Sequence, residues 1–386
     1  METSYAPPKH IPALDGVRGL AVLLVFILHY GGGAQSSNHT IRLIGICIHA
    51  GWFGVTLFFL LSGFLISGIL WDDRAHPNWW RRFYYRRTLR IFPLYYAALL
   101  LVFFCALFLH NAVAFLPHLW IYTLYLQDVP PLMTQAVFLG TPLQLSHFWS
   151  LAVEEQFYLL WPFLLIRTRT LARARGLCLT VFALSALYRV AIWMLMPVPG
   201  DYSGAFLPAR AGELALGAWL AMCFRDPELW PRVQRFAPAI FCTATIGFVS
   251  VGVIEHNFGL GSRGMSLLGL PCITLALASL LTLALGKGIV ARVFSTAWLR
   301  WLGGISYGVY VYHVLLRNVF DWIVATLAPH ASRNLALGLR FIVAAALTLL
   351  ISQISFACFE RPILRLRNRS SHKTTSANKA STEMSS

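Results

Sequence analysis

Residues 11–30 read IPALDGVRGLAVLLVFILHY. From Ala13 to Tyr30 the run is apolar apart from Asp15, Arg18 and His29, and its length suits a helix that crosses the hydrocarbon of a bilayer, which takes ~20 residues. Working outward, the same pattern recurs along the chain. Apolar runs cover Ile48–Trp71, Ile91–His110, Phe148–Ile166, Leu177–Met196, Ala209–Phe224, Pro238–Glu255, Ser266–Leu285, Leu302–Leu327 and Asn334–Phe359. Only 12% of the 386 residues are charged and 58% are hydrophobic, whereas a soluble domain carries about 25% charged residues. A mean hydropathy of +0.64 excludes an ordinary soluble protein, a disordered chain and a coiled coil. The expected fold is an all-α polytopic membrane protein, a bundle of about ten transmembrane helices with both termini cytoplasmic. Residues 1–360 form the membrane-embedded domain in this reading. Residues 361–386, rich in Ser, Thr, Lys and Arg, form a disordered cytoplasmic tail. No basic region and small-residue cleavage site frame the first run, so it is read as retained.

The segment 112–127, AVAFLPHLWIYTLYLQ, is apolar but short, and Pro117 and His118 interrupt it. Charge decides its topology. If it does not span, 23 of the 31 Lys and Arg fall in segments on the side of the N-terminus and 4 on the other side, the remainder lying within spans. Such a bias is the positive-inside pattern. If it did span, the cluster from Arg167 to Arg175 would face outward, so the segment is read as interfacial or re-entrant. The same distribution accounts for the net charge of +16 without a nucleic-acid partner, because the basic residues are spread over every inner loop and form no single stripe. The seven cysteines are scattered through apolar runs with no CxxC pair, which implies neither a disulfide framework nor a metal site.

Ionisable groups inside hydrocarbon are costly and are functional candidates by default. Arg18 and His29 are eleven residues apart, three turns plus roughly 20°, so they share one helix face about 16 Å apart along the axis. Asp15 can pair with Arg18. The bland alternative makes Arg18 a snorkelling residue and His29 an interfacial one. In 79–96, WWRRFYYRRTLRIFPLYY, Arg87 and Arg90 share a face at one mouth of the bundle beside Arg81, Arg82 and Arg86. This is either an ordinary positive-inside cluster or a docking site for a phosphorylated anion. In 146–165, SHFWSLAVEEQFYLLWPFLL, Ser146 suits an N-cap, and Glu154 and Glu155 then lie two to three turns into the membrane at a depth comparable to His29. Adjacent carboxyls there need partners or protons. In 306–317, SYGVYVYHVLLR, Tyr307, Tyr310 and His313 share a face, either as a packed aromatic core or as substrate contacts, with Tyr310 and His313 the candidates for the latter. The Gly and Ser residues of 51–71, GWFGVTLFFLLSGFLISGILW, suit close helix packing.

Five of these pieces in order, LDGVRGLAVLLVFILHY, FFLLSGFLIS, RRTLRIFPLYY, HFWSLAVEEQFYLLWP and ISYGVYVYH, resemble acyltransferase family 3, bacterial integral-membrane O-acyltransferases of the cytoplasmic (inner) membrane. The resemblance runs to about Glu360. It implies transfer of an acyl group, usually acetyl, from cytosolic acyl-CoA to a hydroxyl of a glycan, a lipid-linked sugar or a similar acceptor. Arg18 and His29 match the family's Arg-x10-His pair, and Arg87 and Arg90 its Arg-x2-Arg pair. Some members carry a fused periplasmic hydrolase-like domain, from which this chain departs. On this reading Arg18, Arg87 and Arg90 hold the phosphates of acetyl-CoA. His29 serves as general base, with Glu154 or Glu155 orienting its imidazolium. A covalent acyl-His is the variant, and no metal takes part. The competing class is a transporter or lipid-linked-sugar flippase that uses the buried charges as a relay. The absence of matched repeats and the one-sided arginine cluster count against it.

Overall fold

The computed structural model describes residues 10–31, 45, 48–109, 116–136, 142–196 and 199–366. Among these residues every regular element is helical. The main helices are α1 (Pro12–Tyr30), α2 (Phe53–Asp73), α3 (Trp79–Phe108), α4 (Trp149–Ile166), α5 (Leu171–Leu195), α6 (Leu207–Phe224), α7 (Trp230–Ile254), α8 (Leu270–Ala284), α9 (Ala297–Gly304), α10 (Ser306–Leu315), α11 (Arg317–Leu327) and α12 (Arg333–Ser355). Helix starts follow local chemistry. Pro12 occupies the first turn of α1, where its missing N–H costs nothing. Thr170 caps α5 by accepting from the Arg173 N–H at 3.2 Å.

Seven helical stretches among the described residues are long and apolar enough to cross a membrane: 12–30, 50–73, 79–108, 171–195, 230–254, 265–284 and 333–366. The protein is therefore an all-helical, multi-pass chain, and three of the ten expected spans look different in three dimensions. Helix α4 carries Glu154, Glu155 and Gln156, and α6 carries Arg210 and Glu213; each is an 18-residue helix diluted by charge. The expected span 302–327 is not one helix. It is broken at Ile305 and again at Leu316 into α9, α10 and α11. At the second break the Leu315 carbonyl accepts from the Gln144 N–H at 3.1 Å. Backbone freed from a helix at such depth persists only where protein supplies partners.

The described part of segment 112–127 forms a 3₁₀ turn at Leu116–His118 and a five-residue helix, Leu119–Thr123, far too short to span. It tucks back against the bundle. Tyr95 donates to the Tyr122 carbonyl at 2.7 Å, and Gln127 donates to the Phe148 carbonyl at 2.9 Å. Residues 112–115 of this segment and the tail beyond residue 366 lie outside the described residues.

Helix α2 is the hub: 72% of its apolar window is buried, against 17% for α5 and 22% for α7, whose leucines and isoleucines face outward as lipid-contacting surface does. Close approach at the hub is made by glycine. A Cβ on Gly63 of α2 would overlap the Leu214 carbonyl of α6, and one on Gly217 of α6 would overlap the Leu60 carbonyl of α2. Arginine–carboxylate pairs gather where helices end: Arg225 holds Asp72 (2.6 Å), Arg86 faces Asp73 (3.6 Å) and Arg175 holds Asp226 (2.8 Å).

Candidate active site

Helices α1, α2, α3, α4 and α10 line a cavity. At one end its wall carries Arg18 from α1 and Arg87 and Arg90 from α3; Glu154 and Tyr158 from α4 stand beside them, and Ser150 and Tyr310 close the far end. Phe58, Leu65 and Ile91 make the middle apolar. Arg18 forms an ion pair with Asp15 at 2.9 Å, as the spacing predicts. Arg87 lies 5.1 Å over the Tyr158 ring. Tyr158 donates to Glu154 Oε2 at 2.8 Å and takes a hydrogen bond from Ser62. Among the described residues neither Arg87 nor Arg90 has a hydrogen-bond or ion-pair partner. Asp15 and Glu154 both stand by these three guanidinium groups, while Arg87 and Arg90 keep planar donors free to grip phosphate oxygens.

Beyond Tyr310 lie three imidazoles. The ring of His313 stands 5.0 Å from that of His29 and 5.3 Å from that of His147. Each ring commits one nitrogen to a backbone carbonyl: His29 Nδ1 to Val25 (2.8 Å), His313 Nδ1 to Tyr310 (2.7 Å) and His147 Nε2 to Val311 (3.2 Å). A carbonyl only accepts, so each committed nitrogen carries the hydrogen and the other keeps its lone pair. The lone pairs on His313 Nε2 and His147 Nδ1 are buried and have no partner. That of His29 Nε2 belongs to a part-buried side chain. His313 is also pinned through its own carbonyl, which accepts from Tyr30.

The structure thus sorts the candidates into two groups. Arg18, Arg87, Arg90 and Glu154 share the cavity, with Tyr310 at its far end. His29 and His313 share the imidazole cluster. Glu154, expected at the depth of His29, sits with the arginines in the cavity lining, from which His29 is absent. Ser146 does not cap α4; residues Ser146–Phe148 form a 3₁₀ turn, and the helix begins at Trp149 with no side-chain cap bond. His147, seven residues before Glu154, takes the place beside His313. The hydrogen-bond partners found for His29 and Glu154 are Val25 and Tyr158, so neither glutamate orients the His29 ring in this structure. Glu155 lies outside the cavity lining, with Oε1 buried and unpartnered. His147 is the site residue that sequence reasoning missed. Its signal was the position of SHF directly ahead of a charged span.

A second charged cluster packs behind the cavity wall. Arg210, 1% exposed, pairs with Glu213, 2% exposed, at 3.1 Å, donates to Thr56 at 3.1 Å and lies 5.3 Å over Phe59. Arg189 reaches Ser185 at 3.1 Å. Arg210, the second residue of the apolar run Ala209–Phe224, is inside the bundle. Among the described residues no group of three or more His, Cys, Asp or Glu is arranged to hold a metal ion.

Comparison with known proteins sets this geometry in a family. The profile described as acyltransferase domain, acyltransferase family 3, matches residues 11–357. The chain is 28% identical over 378 residues to the peptidoglycan O-acetyltransferase OatA of Listeria monocytogenes, covering 92% of this chain and 56% of that protein. It is 24% identical over 383 residues to a putative peptidoglycan O-acetyltransferase of Bacillus subtilis (92% and 55%). It is 25% identical over 392 residues to a putative O-acetyltransferase of Staphylococcus aureus (93% and 58%). The chain thus spans a little over half the length of these relatives. No solved structure matches it. With the family profile covering nearly all of the helical domain, the chain belongs to acyltransferase family 3.

Proposed function

We propose that this protein is a membrane O-acetyltransferase that takes acetyl from cytosolic acetyl-CoA and passes it to a hydroxyl of an envelope or exported glycan or glycolipid, in the bacterial cytoplasmic membrane. The observation that carries the reading is the cavity itself: three arginines at one end, two of them without a hydrogen-bond or ion-pair partner among the described residues, and three imidazoles just past the other. The names of the relatives support an acetyl group and a glycan acceptor.

Arg87 and Arg90 would hold the phosphates of the donor, and Arg18 one turn beyond Asp15 would reach the same group. The apolar middle of the cavity suits a pantetheine arm, and the thioester would then lie near Tyr310. His29 keeps its Nε2 lone pair available because Nδ1–H is tied to Val25. It can take the proton from the acceptor hydroxyl as that oxygen attacks the thioester carbonyl, then return it to the departing thiolate.

The test is a kinetic split. Replacing His29 by Ala or Gln is expected to cut kcat by about 10² to 10⁴ with little change in acetyl-CoA affinity. Replacing Arg87 and Arg90 together by Gln is expected to raise KM for acetyl-CoA with a smaller change in kcat. Unchanged acetyl-CoA binding in the double arginine variant would remove the phosphates from this mouth, and full activity in His29→Ala would move the base to His313.

A further inference from the structure

No histidine lines the cavity among the described residues, yet the cavity ends within one ring of the imidazole cluster. The separating ring is Tyr310. It is 6% exposed. On its cavity side it meets Phe58 at 6.0 Å, edge to face. On its other side it lies 5.4 Å from His147 and 5.6 Å from His313. Its hydroxyl is fixed twice, donating to the His147 carbonyl at 2.9 Å and receiving from Ser150 Oγ. One anchor is in the first turn of α4 and the other in the 3₁₀ turn just ahead of it, so the ring is tied across the gap between α10 and the start of α4. The helix that carries it, α10, is bounded by breaks at Ile305 and Leu316, so it can shift or turn without moving α9 or α11 as one rod.

Resting on the donor and base assigned above, we infer that Tyr310 is a gate between the donor cavity and the imidazoles, latched by Ser150 and the His147 carbonyl. With the latch closed, a thioester in the cavity cannot reach His29. The chemical reason for such a gate is water. An acyl thioester beside an accessible imidazole base is hydrolysed: the base takes a proton from water, the water oxygen bonds to the carbonyl carbon, the C–S bond breaks and the proton passes to the thiolate, giving acetate and free CoA. A ring held shut until an acceptor hydroxyl arrives keeps that reaction slow.

The experiment is acceptor-free release of CoA thiol from acetyl-CoA by the full-length protein in nanodiscs, with acetyl-CoA binding measured on the same samples. Tyr310→Phe keeps the ring and removes both hydrogen bonds; Ser150→Ala removes one. At the usual worth of such bonds, acceptor-free release is expected to rise about tenfold in the first and about threefold in the second. Adding His29→Ala to Tyr310→Phe is expected to return release to the level of His29→Ala alone, which a merely loosened fold would not do. Ser150→Ala serves as the readout should Tyr310→Phe fail to accumulate. Unchanged release with binding intact would overturn the gate and leave the proposed donor standing. So would raised release that survives removal of His29, because the leak would then bypass the imidazoles. Absence of acetyl-CoA binding in the unaltered protein would instead overturn the donor assignment, and the gate with it.

Discussion

Glu213 and Arg210 pair at 3.1 Å at 2% and 1% exposure, with Arg210 Nε and both Glu213 oxygens lacking a hydrogen bond among the described residues. Desolvating such a pair costs nearly as much as the attraction returns, but removing one member strands the other. Glu213→Ala is therefore expected to destabilise the protein by about 3–5 kcal/mol, read as a lower unfolding temperature in detergent. Exchanging both for apolar residues, Arg210→Met with Glu213→Leu, is expected to cost much less. A double variant as unstable as the single one would mean that Arg210 acts through Phe59 and Thr56 and not through the carboxylate. The individual charges were legible in the sequence because a charge in an apolar run stands out by its cost. Their partners were not. Arg210 sits so near the end of its run that only its neighbours place it inside. His147 was masked by Ser146, which looked like a helix cap. The Asp15–Arg18 pair, three residues apart on one helix, depends on local spacing alone and was readable.

The tucked-back segment after α3 is an element held by polar bonds more than by its own helices. Asp128 at its end is fully buried and takes hydrogen bonds from Gln156 of α4 at 2.6 Å and from the Leu207 N–H at the start of α6 at 3.2 Å. Burial pushes its carboxyl up to about 6, against the opposing pull of these donors. A carboxyl raised on folding stabilises the fold when protonated. Its contribution is full below the unfolded value of about 4 and is lost as pH rises through about 6. Hydrogen exchange across residues 119–129 is expected to quicken, beyond its intrinsic pH dependence, between pH 4 and pH 7, and Asp128→Asn is expected to remove that excess. An equal excess in the variant would assign the titration elsewhere. Hydropathy located most helices because burial in lipid is a property of runs. It joined α9, α10 and α11 into one span because the break at Leu316 is satisfied by the Gln144 N–H, some 170 residues away in sequence. Nothing local announces such a partner.

At the scale of the whole molecule, the charge split and the helix ends describe one arrangement. Arg86, Arg175 and Arg225 are tied to Asp73, Asp226 and Asp72, so the segments between α2 and α3, α4 and α5, and α6 and α7 gather at one end of the bundle, beside the mouth formed by Arg87 and Arg90. By the positive-inside rule we propose that this end is cytoplasmic, where the proposed donor would enter. Two engineered cysteines test this in intact cells, in a background with the seven native cysteines replaced. Among the described residues α4 is the one long helix between position 135 and position 169, so the two sites are expected on opposite sides if it crosses. Gln135→Cys is expected to react with an impermeant maleimide, and Arg169→Cys to react only after permeabilisation. Had segment 112–127 crossed the bilayer, parity would reverse and the labelling would invert: Arg169→Cys would react and Gln135→Cys would be protected. Inversion would turn the Arg167–Arg175 cluster outward and remove the charge argument for ten spans. Reaction at both sites would mean that α4 does not cross, leaving Glu154 in a half-span open to one side, and the cavity could not connect a cytosolic donor with an acceptor across the membrane.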